Sequence, residues 1–300
     1  MNLLQYLVDG VMDGAILALG AIGLSLSLSL HRFANFAYAE YLTWGAYAAF
    51  TFFGLAHLSG QSIGGFSIGP GFAGMILLAC AAVALFSLLI DALVFTPLRR
   101  RNAVKLTLIF ASFGIGLLLR NVVLILYGPE PEYYNRALQM AVPIGPYIRV
   151  RPDKLLVLAL AIILIIGFHL FLTRTRYGLA MRAVAENPSL AEFSGIPTEH
   201  TLKLAWVASG SLAAICGVFF GVSGQLTSEM GFELLLPLFA AVLLGGVGSM
   251  LGAAAGALII GISGSLSVLL IPSSYKPAIP FIILLIILYI RPKGIFGKVK

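Results

Sequence analysis

Four polar side chains interrupt apolar stretches of the chain, and they are the residues best suited to bind a polar small molecule. Asn35 and Glu40 occur in one apolar stretch, and Arg120 and Asn121 occur in another. Ionisable groups are costly to place inside a bilayer, so they are candidates for function by default. For Arg120 two interpretations stay open: an ion pair with Glu40, or extension of the guanidinium toward the membrane surface.

Glu40 also has two possible roles. In the first, the carboxyl group lines a polar path or braces a break at the start of the second helix. In the second, it pairs with a buried polar group such as His31 or Arg32 and only fixes packing. Asp91 is close in sequence to three arginines and is predicted to pair with one of them. Asp9 and Asp13 are predicted to cap the first helix.

Glycines are concentrated in the stretch 245–256. Three of them recur at intervals of four residues, namely Gly248, Gly252 and Gly256. Small residues at this spacing let helix backbones approach closely, which favours a helix-packing role. A second interpretation adds Gly245, Gly246 and Ser249 to the polar path. In this interpretation the exposed backbone amides and carbonyls bind the charged ends of an amino acid.

The sequence contains no pattern typical of an enzyme. Its four histidines are scattered, and no Ser-His-Asp or HExxH arrangement occurs, so a membrane protease or esterase is excluded. The two cysteines, Cys80 and Cys216, lack metal-ligand spacing, and no metal site is expected. No GxxxxGK[ST] phosphate cradle is found. We therefore expect neither a catalytic site for ATP nor a cofactor in this chain.

The composition places these residues in a membrane protein. The chain is 60% hydrophobic and 10% charged, and its mean hydropathy is +1.01, which is far outside the range of soluble domains. The apolar stretches are continuous rather than alternating, so the spans are helical and a β-barrel is excluded. Basic flanks of membrane spans account for the net charge of +7, and nucleic acid is not an expected partner.

We predict an all-α integral membrane fold with one transmembrane domain over residues 1–300. It is a polytopic bundle of about eight helices, with seven and nine also compatible, some of them broken or re-entrant. The seventh and eighth spans are either two short crossings or one re-entrant hairpin. The predicted spans are 8–30, 33–56, 74–95, 106–127, 155–172, 204–225, 234–248, 251–270 and 278–290.

Lysine and arginine residues predict the orientation, because they are enriched in cytoplasmic loops. Three regions hold most of them and are placed in the cytoplasm, so the C-terminus is cytoplasmic: 96–105, 173–203 and 291–300. The loops placed outside are 57–73, 128–153 and 226–233. With an odd number of spans, the N-terminus also faces outward.

The loop 173–203 carries its own helix signals. Asn187 is a good N-cap, Pro188 suits the first helical position and Gly195 suits a helix end, so Ser189–Ser194 is predicted as a short helix. A second short helix is predicted over Tyr177–Glu186. The apolar side chains Leu190, Phe193 and Ile196 would share a face suited to a protein groove. The alternative is an ordinary structured connector.

Five stretches of the chain share the order and spacing of motifs of a known family. The first is YGLAMRAVAEN, residues 177–187, followed by Ala191, Gly195 and Ile196. The others are NFAYAEYLTWGAY, TPLRRRNAVKLTLIFASFGIGLLLRNVVLILYGP, LFAAVLLGGVGSMLGAAAGALIIG and RPKGIFGK. In register, these five stretches resemble the permeases of bacterial ABC importers, and they are most similar to the branched-chain amino acid type and its LivH-like subunit.

This resemblance implies a permease subunit in the bacterial inner membrane that moves branched-chain or related amino acids. The implied partners are two ATP-binding cassette subunits, a second permease chain in a heterodimer and a periplasmic substrate-binding protein, which Glu229 and Glu233 could meet. The loop 173–203 would contain the coupling helix. Its implied coupling residues are Gly178, Arg182, Ala183, Glu186, Pro188, Leu190, Ala191, Phe193, Gly195 and Ile196.

The chain departs from the family pattern at Tyr38 and Ala39, which replace His-Gly, and at Arg120, which replaces Gln. These positions can face the substrate path, so the resemblance does not specify which molecule is transported. A permease for urea, short amides or another amino acid is one alternative. A secondary transporter or channel that acts alone is another, because broken glycine-rich helices and buried acids suit such proteins too.

Overall fold

The computed structural model describes residues 3–55, 71–134, 141–144, 148–291 and 294–296. Within these ranges nearly all regular structure is helical, which confirms the all-α class. The longer helices are α1 (Leu3–His31), α2 (Tyr38–Leu55), α3 (Phe72–Ile90), α5 (Lys105–Tyr127), α6 (Pro152–Arg174), α7 (Arg176–Glu186), α9 (Thr198–Ser223), α10 (Met230–Gly245), α11 (Met250–Ser267) and α12 (Ala278–Ile290).

Shorter elements connect these helices. A π-helical turn, Asp91–Phe95, joins α3 to α4 (Thr96–Arg100), and α8 (Pro188–Phe193) follows α7. Strands β1 (Val142–Ile144) and β2 (Ile148–Val150) form an antiparallel pair. The predicted loop 57–73 and the basic residues Lys293, Lys298 and Lys300 lie wholly or mostly outside the described residues.

Six helices of the described ranges are long and apolar enough to cross a membrane. They are Leu3–His31, Phe72–Arg100, Lys105–Tyr127, Pro152–Arg174, Thr198–Ser223 and Met250–Ser267. Two shorter apolar helices, α10 and α12, add to them, and α2 has 18 residues. The fold is therefore a polytopic membrane bundle, as predicted.

Helix α1 lies at the centre of the bundle and is buried on nearly all sides, as expected for a helix that is apolar all round. It packs closely against α11, since a Cβ atom on Gly10 would lie 2.7 Å from the Cα atom of Ile262. A Cβ atom on Gly14 would lie 3.0 Å from the Cα atom of Leu258. The two helices therefore run antiparallel, and small residues set their distance.

Helices α10 and α11 form an antiparallel hairpin. A Cβ atom on Gly256 would lie 2.1 Å from the carbonyl oxygen of Ala241, and one on Gly252 would lie 2.2 Å from that of Gly245. These two glycines therefore occupy a helix-packing seam. Gly248 departs from the prediction because it lies in the turn between the helices, with a φ of 84°. Its amide donates to Ser25 Oγ at 3.1 Å.

Contacts along α1 define two ends of the bundle. At the first end, Gln5 Nε2 donates to the carbonyl of Arg149, and Asp13 pairs with Lys154 and Lys276 at 3.5 and 3.4 Å. Asp13 therefore links three parts of the chain instead of capping α1. At the other end, Arg32 contacts α7.

We call this other end the basic end. It contains Arg99, the loop with α7 and α8, the turn 246–249 and the tail 294–296. In the tail, the Ile295 amide donates to the carbonyl of Leu244 at 2.7 Å. The regions 96–105, 173–203 and 291–300 were predicted to share one side of the membrane. Their described residues lie at this end of the bundle, and the first residues of α1 lie at the opposite end.

Candidate functional site

The loop with α7 and α8 is built by local signals that the sequence carries. The Thr175 hydroxyl caps α7 by accepting from the Gly178 amide at 3.1 Å, and Asn187 Oδ1 caps α8 by accepting from the Leu190 amide at 3.1 Å. Pro188 occupies the first turn of α8. Gly195 ends the segment with a φ of 82°, which favours glycine. Both helices match their predicted bounds within a residue.

The inner face of this loop is anchored to the bundle. Met181, Val184 and Ala191 are buried in a cluster with side chains of α1, α6 and α9. A Cβ atom on Gly178 would lie 2.4 Å from the carbonyl oxygen of Phe171, so only glycine fits there. The inner face of α7 and α8 is therefore in contact with three membrane helices.

Arg32 adds a polar anchor at the end of α7. Its guanidinium donates to the carbonyls of Ala185 and Glu186 at 3.3 and 3.4 Å. A cation at this position satisfies carbonyls that lack partners in the helix and complements the helix dipole. The predicted pairing of Arg32 with Glu40 is therefore wrong.

The outer face of α8 exposes apolar surface. Leu190 is 62% exposed and Phe193 is 91% exposed. Ile196 differs from the prediction, because it is half-buried and packs against the cluster under α7. Two large apolar side chains thus project from a fixed helix at the basic end, and such surface is typical of a binding site for another protein.

The remaining residues implied to take part in coupling are spread over the same loop. Ala183 packs partly against the inner cluster, while Glu186 is exposed. Arg182 is also exposed, and its guanidinium lies 3.5 Å from the carbonyl of Thr173. Arg182 lines a cavity of about 240 Å³ with His169 and residues 248–251, at the start of α11.

Asn35 braces the break between α1 and α2. Its side-chain oxygen accepts from the Ala37 amide at 3.1 Å, and the Phe36 amide donates to Ser112 Oγ on α5 at 3.1 Å. Arg32 precedes the break with a φ of 59°. The predicted start of the second span, residue 33, is therefore wrong, because the helix begins at Tyr38.

Glu40 is buried where α2 meets the start of α10. Its carboxylate accepts from Thr43 Oγ1 at 3.3 Å, and the same hydroxyl accepts from the Gly231 amide at 3.0 Å. The carboxyl group borders a small cavity with Phe113 and Phe232. The alternative of pairing with His31 is also wrong, because the His31 ring lies 3.1 Å from the Ser27 carbonyl and packs on Trp206.

Arg120 pairs with Glu229 and not with Glu40, so the first interpretation of this residue is wrong. Extension of the guanidinium toward the membrane surface stays a prediction. Its guanidinium also lies 5.0 Å from the centroid of the Phe232 ring. Asn121 does not join this group, since its side chain donates to the Leu117 carbonyl of its own helix at 2.7 Å. No local sequence signal places Glu229 and Phe232 beside Arg120, because Glu229 lies 109 positions from Arg120.

The ion pair joins a residue within the apolar helix α5 to the residue before α10, on an exposed face. Arg120 follows the start of α5 by 15 residues, which corresponds to about 22 Å along the helix. Its neighbours on the exposed surface of α5 include Phe113, Leu117 and Leu124. Since charges in contact with lipid are costly, this face requires protein or water against it.

The residues Gly245, Gly246 and Ser249 lie far from this pair, at the other end of α10. The Gly245 carbonyl accepts from the Phe296 amide at 3.2 Å, and Ser249 Oγ caps α11 by accepting from the Gly252 amide at 3.1 Å. The Gly246 amide donates to Val242. The structure thus divides the predicted polar path into two groups.

The described residues contain no cluster of three His, Cys, Asp or Glu side chains that could hold a metal ion. Asp91 pairs with Arg99 at 2.5 Å, as predicted.

Comparisons with known proteins cover nearly the whole chain. Residues 6–288 match the family described as the permease component of the branched-chain amino acid transport system. The high-affinity permease protein LivH of Escherichia coli K12 is 28% identical over 98% of this chain and 96% of its own length. BraD of Pseudomonas aeruginosa is 28% identical with the same coverage.

A probable LivH of Methanocaldococcus jannaschii is 31% identical over 96% of this chain and 92% of its own length. Among solved structures, PsaBC from Streptococcus pneumoniae in complex with Fab matches with a TM-score of 0.46 and 16% identity. That match covers 96% of this chain and 92% of the PsaBC chain.

Proposed function

Because the chain belongs to the family of permease components of branched-chain amino acid transport systems, we propose that it is the membrane-embedded subunit of an ABC importer. The protein is a multi-pass inner-membrane protein with no catalytic step of its own. Separate ATPase subunits energise it, and its cargo is a branched-chain or related amino acid. A second permease chain and a periplasmic binding protein complete the importer.

One observation carries this proposal: Leu190 and Phe193 project from α8 at the basic end. A carrier that acts alone has no need for two large apolar side chains on a capped, anchored helix outside the membrane. A groove on an ATPase subunit would cover them, and α8 would serve as the coupling helix. Motion of that subunit would reach the membrane through the cluster under α7. The basic end, with the C-terminal tail, then faces the cytoplasm.

The cargo path is proposed on the face that carries Arg120 and Glu229, where α5 meets the start of α10. A half-exposed ion pair at this depth is stable only when protein or water covers it. A second permease chain packed against α5 would cover it and enclose a polar path beside Glu40. The Gly245–Ser249 turn would act on this path only through the movement of α10.

The first experiment is co-purification of the full-length tagged chain from its own membranes in mild detergent. We expect an ATP-binding cassette protein to accompany the wild-type chain and to be lost from Leu190→Asp and Phe193→Asp. Val104→Asp is the matched control, because Val104 is 67% exposed at the same end but lies outside α8. A chain that purifies alone, and that moves leucine into liposomes without ATP, would instead be a stand-alone carrier.

A further inference from the structure

An apolar groove runs between α6 and α9 on the outside of the bundle. Its volume is about 570 Å³, and Tyr177 of α7 closes it at the basic end. Gly167 lies in the α6 wall, and a Cβ atom added there would meet no atom within 4 Å. On the α9 wall, Leu204 and Ile215 mark the two ends of the lining. The helices are therefore separated along this length by space that no side chain of the described residues fills.

The dimensions of the groove match one lipid leaflet. The distance from Leu204 to Ile215 spans eleven residues of α9, or about 16 Å. This is close to half of the hydrocarbon core, which is about 30 Å thick. An apolar groove at this depth does not hold water. Hydrocarbon of the leaflet next to the basic end is the occupant that fits it.

Basic residues continue both walls of the groove beyond its mouth. Arg174 follows Phe171 by three residues and Gly167 by seven, so it shares their face of α6. On α9, Lys203 precedes the groove residue Val207 by four positions and shares its face. Both basic side chains are exposed. Each lies within about one helical turn of a residue that lines the groove.

One acid lies nearby on the same stripe. Glu199 precedes Lys203 by four residues, in the first turn of α9, and is exposed. It is therefore one turn farther from the groove than Lys203. The charge that directly borders the mouth is positive.

We propose that this groove binds one anionic phospholipid, with an acyl chain between α6 and α9 and the phosphate at Arg174 and Lys203. Two cations at the mouth favour a headgroup with net negative charge over a zwitterionic one, whose ammonium group they repel. Because Tyr177 belongs to α7, the bound lipid packs directly against the segment that holds α8. The proposal stands on the groove and its charges, and it does not depend on the transported cargo.

The test is native mass spectrometry of the full-length chain, supplied with phosphatidylglycerol or phosphatidylethanolamine. We expect the wild type to retain one phosphatidylglycerol and to bind phosphatidylethanolamine more weakly. Arg174→Gln and Lys203→Gln should each weaken the binding of phosphatidylglycerol about fivefold. Gly167→Leu should abolish retention by filling the groove, and we expect it to fold because a Cβ atom at this position meets no atom within 4 Å.

Two control variants separate the groove from general effects. Arg100→Gln removes an exposed charge at the same end, and Gly74→Leu adds the same side chain where a Cβ atom also meets nothing within 4 Å. Both should retain phosphatidylglycerol as the wild type does. Equal binding of the two lipids, or full retention by Gly167→Leu, would overturn the proposal. Cross-linking of Gly167→Cys to another protein chain in native membranes would also overturn it, since the occupant would then be a helix.

Discussion

At the scale of single residues, the pairing of Arg120 with Glu229 is the contact that most affects the proposed path. The two side chains come from α5 and from the residue before α10, and Phe232 packs against the guanidinium. Loss of Glu229 leaves the Arg120 guanidinium within an apolar helix without its partner. The pair therefore fixes the start of α10 against α5 at the place where Glu40 is buried.

We expect Arg120→Glu and Glu229→Arg to reduce leucine uptake about tenfold each, and the double exchange to restore much of it, because contacting residues are strongly coupled. ATP-dependent uptake into membrane vesicles is the measurement, with the amount of chain in the membrane as the control for folding. If leucine uptake by the double variant is as low as that of the less active single variant, the ion pair itself does not contribute to transport.

A second residue-scale prediction concerns two glycines near one another on α6 and α7. Gly178→Ala places a Cβ atom 2.4 Å from the Phe171 carbonyl oxygen, whereas Gly167→Ala meets nothing within 4 Å. The first change should lower the melting temperature in detergent. The second should leave it unchanged or raise it, since alanine favours a helix by about 1 kcal/mol over glycine. Equal melting temperatures would show that the junction of α6 and α7 is not tightly packed.

At the scale of elements, α8 depends on its N-cap. Asn187→Ala removes the acceptor for the Leu190 amide and should destabilise this six-residue helix by about 1 kcal/mol. We expect faster hydrogen exchange over residues 188–193 and unchanged exchange in α9. Transport should fall while the chain still inserts. Asn187→Ser, which keeps a capping oxygen, should behave as the wild type does, and failure of serine to do so would argue against capping.

At the scale of the whole molecule, the start of α1 and the tail 294–296 lie at opposite ends of the bundle. The start of α1 lies with Arg149 and Lys154, whereas α8 lies with the tail 294–296. We expect Leu3→Cys to react with a membrane-impermeant maleimide in intact spheroplasts. Phe193→Cys should react only after permeabilisation, because the basic end is proposed to face the cytoplasm. The native thiols are half-buried or buried, and the unsubstituted chain measures their background. Labelling of both positions in intact spheroplasts would contradict this orientation.

Features that depend on neighbouring residues could be predicted from the sequence. Continuous apolar stretches predicted the membrane spans, and an Asn-Pro pair with a later glycine predicted α8 within a residue of its bounds. These signals act through local hydrogen bonds and through transfer of side chains into lipid, so they require no knowledge of which helices are neighbours. The same holds for Asp91 and Arg99, which are eight positions apart.

The contacts between residues far apart in sequence could not be predicted, because they depend on how the helices pack. Arg120 pairs with Glu229, Arg32 donates to carbonyls at the end of α7, and Asp13 pairs with Lys154 and Lys276. For Arg120 and Asp13, several other residues had the right charge. The choice followed from the packing of α1 against α11 and of α10 against α2, which is set by the shapes of small residues across the bundle. The apolar pattern of a helix that is buried all round does not encode that choice, because every face is equally apolar.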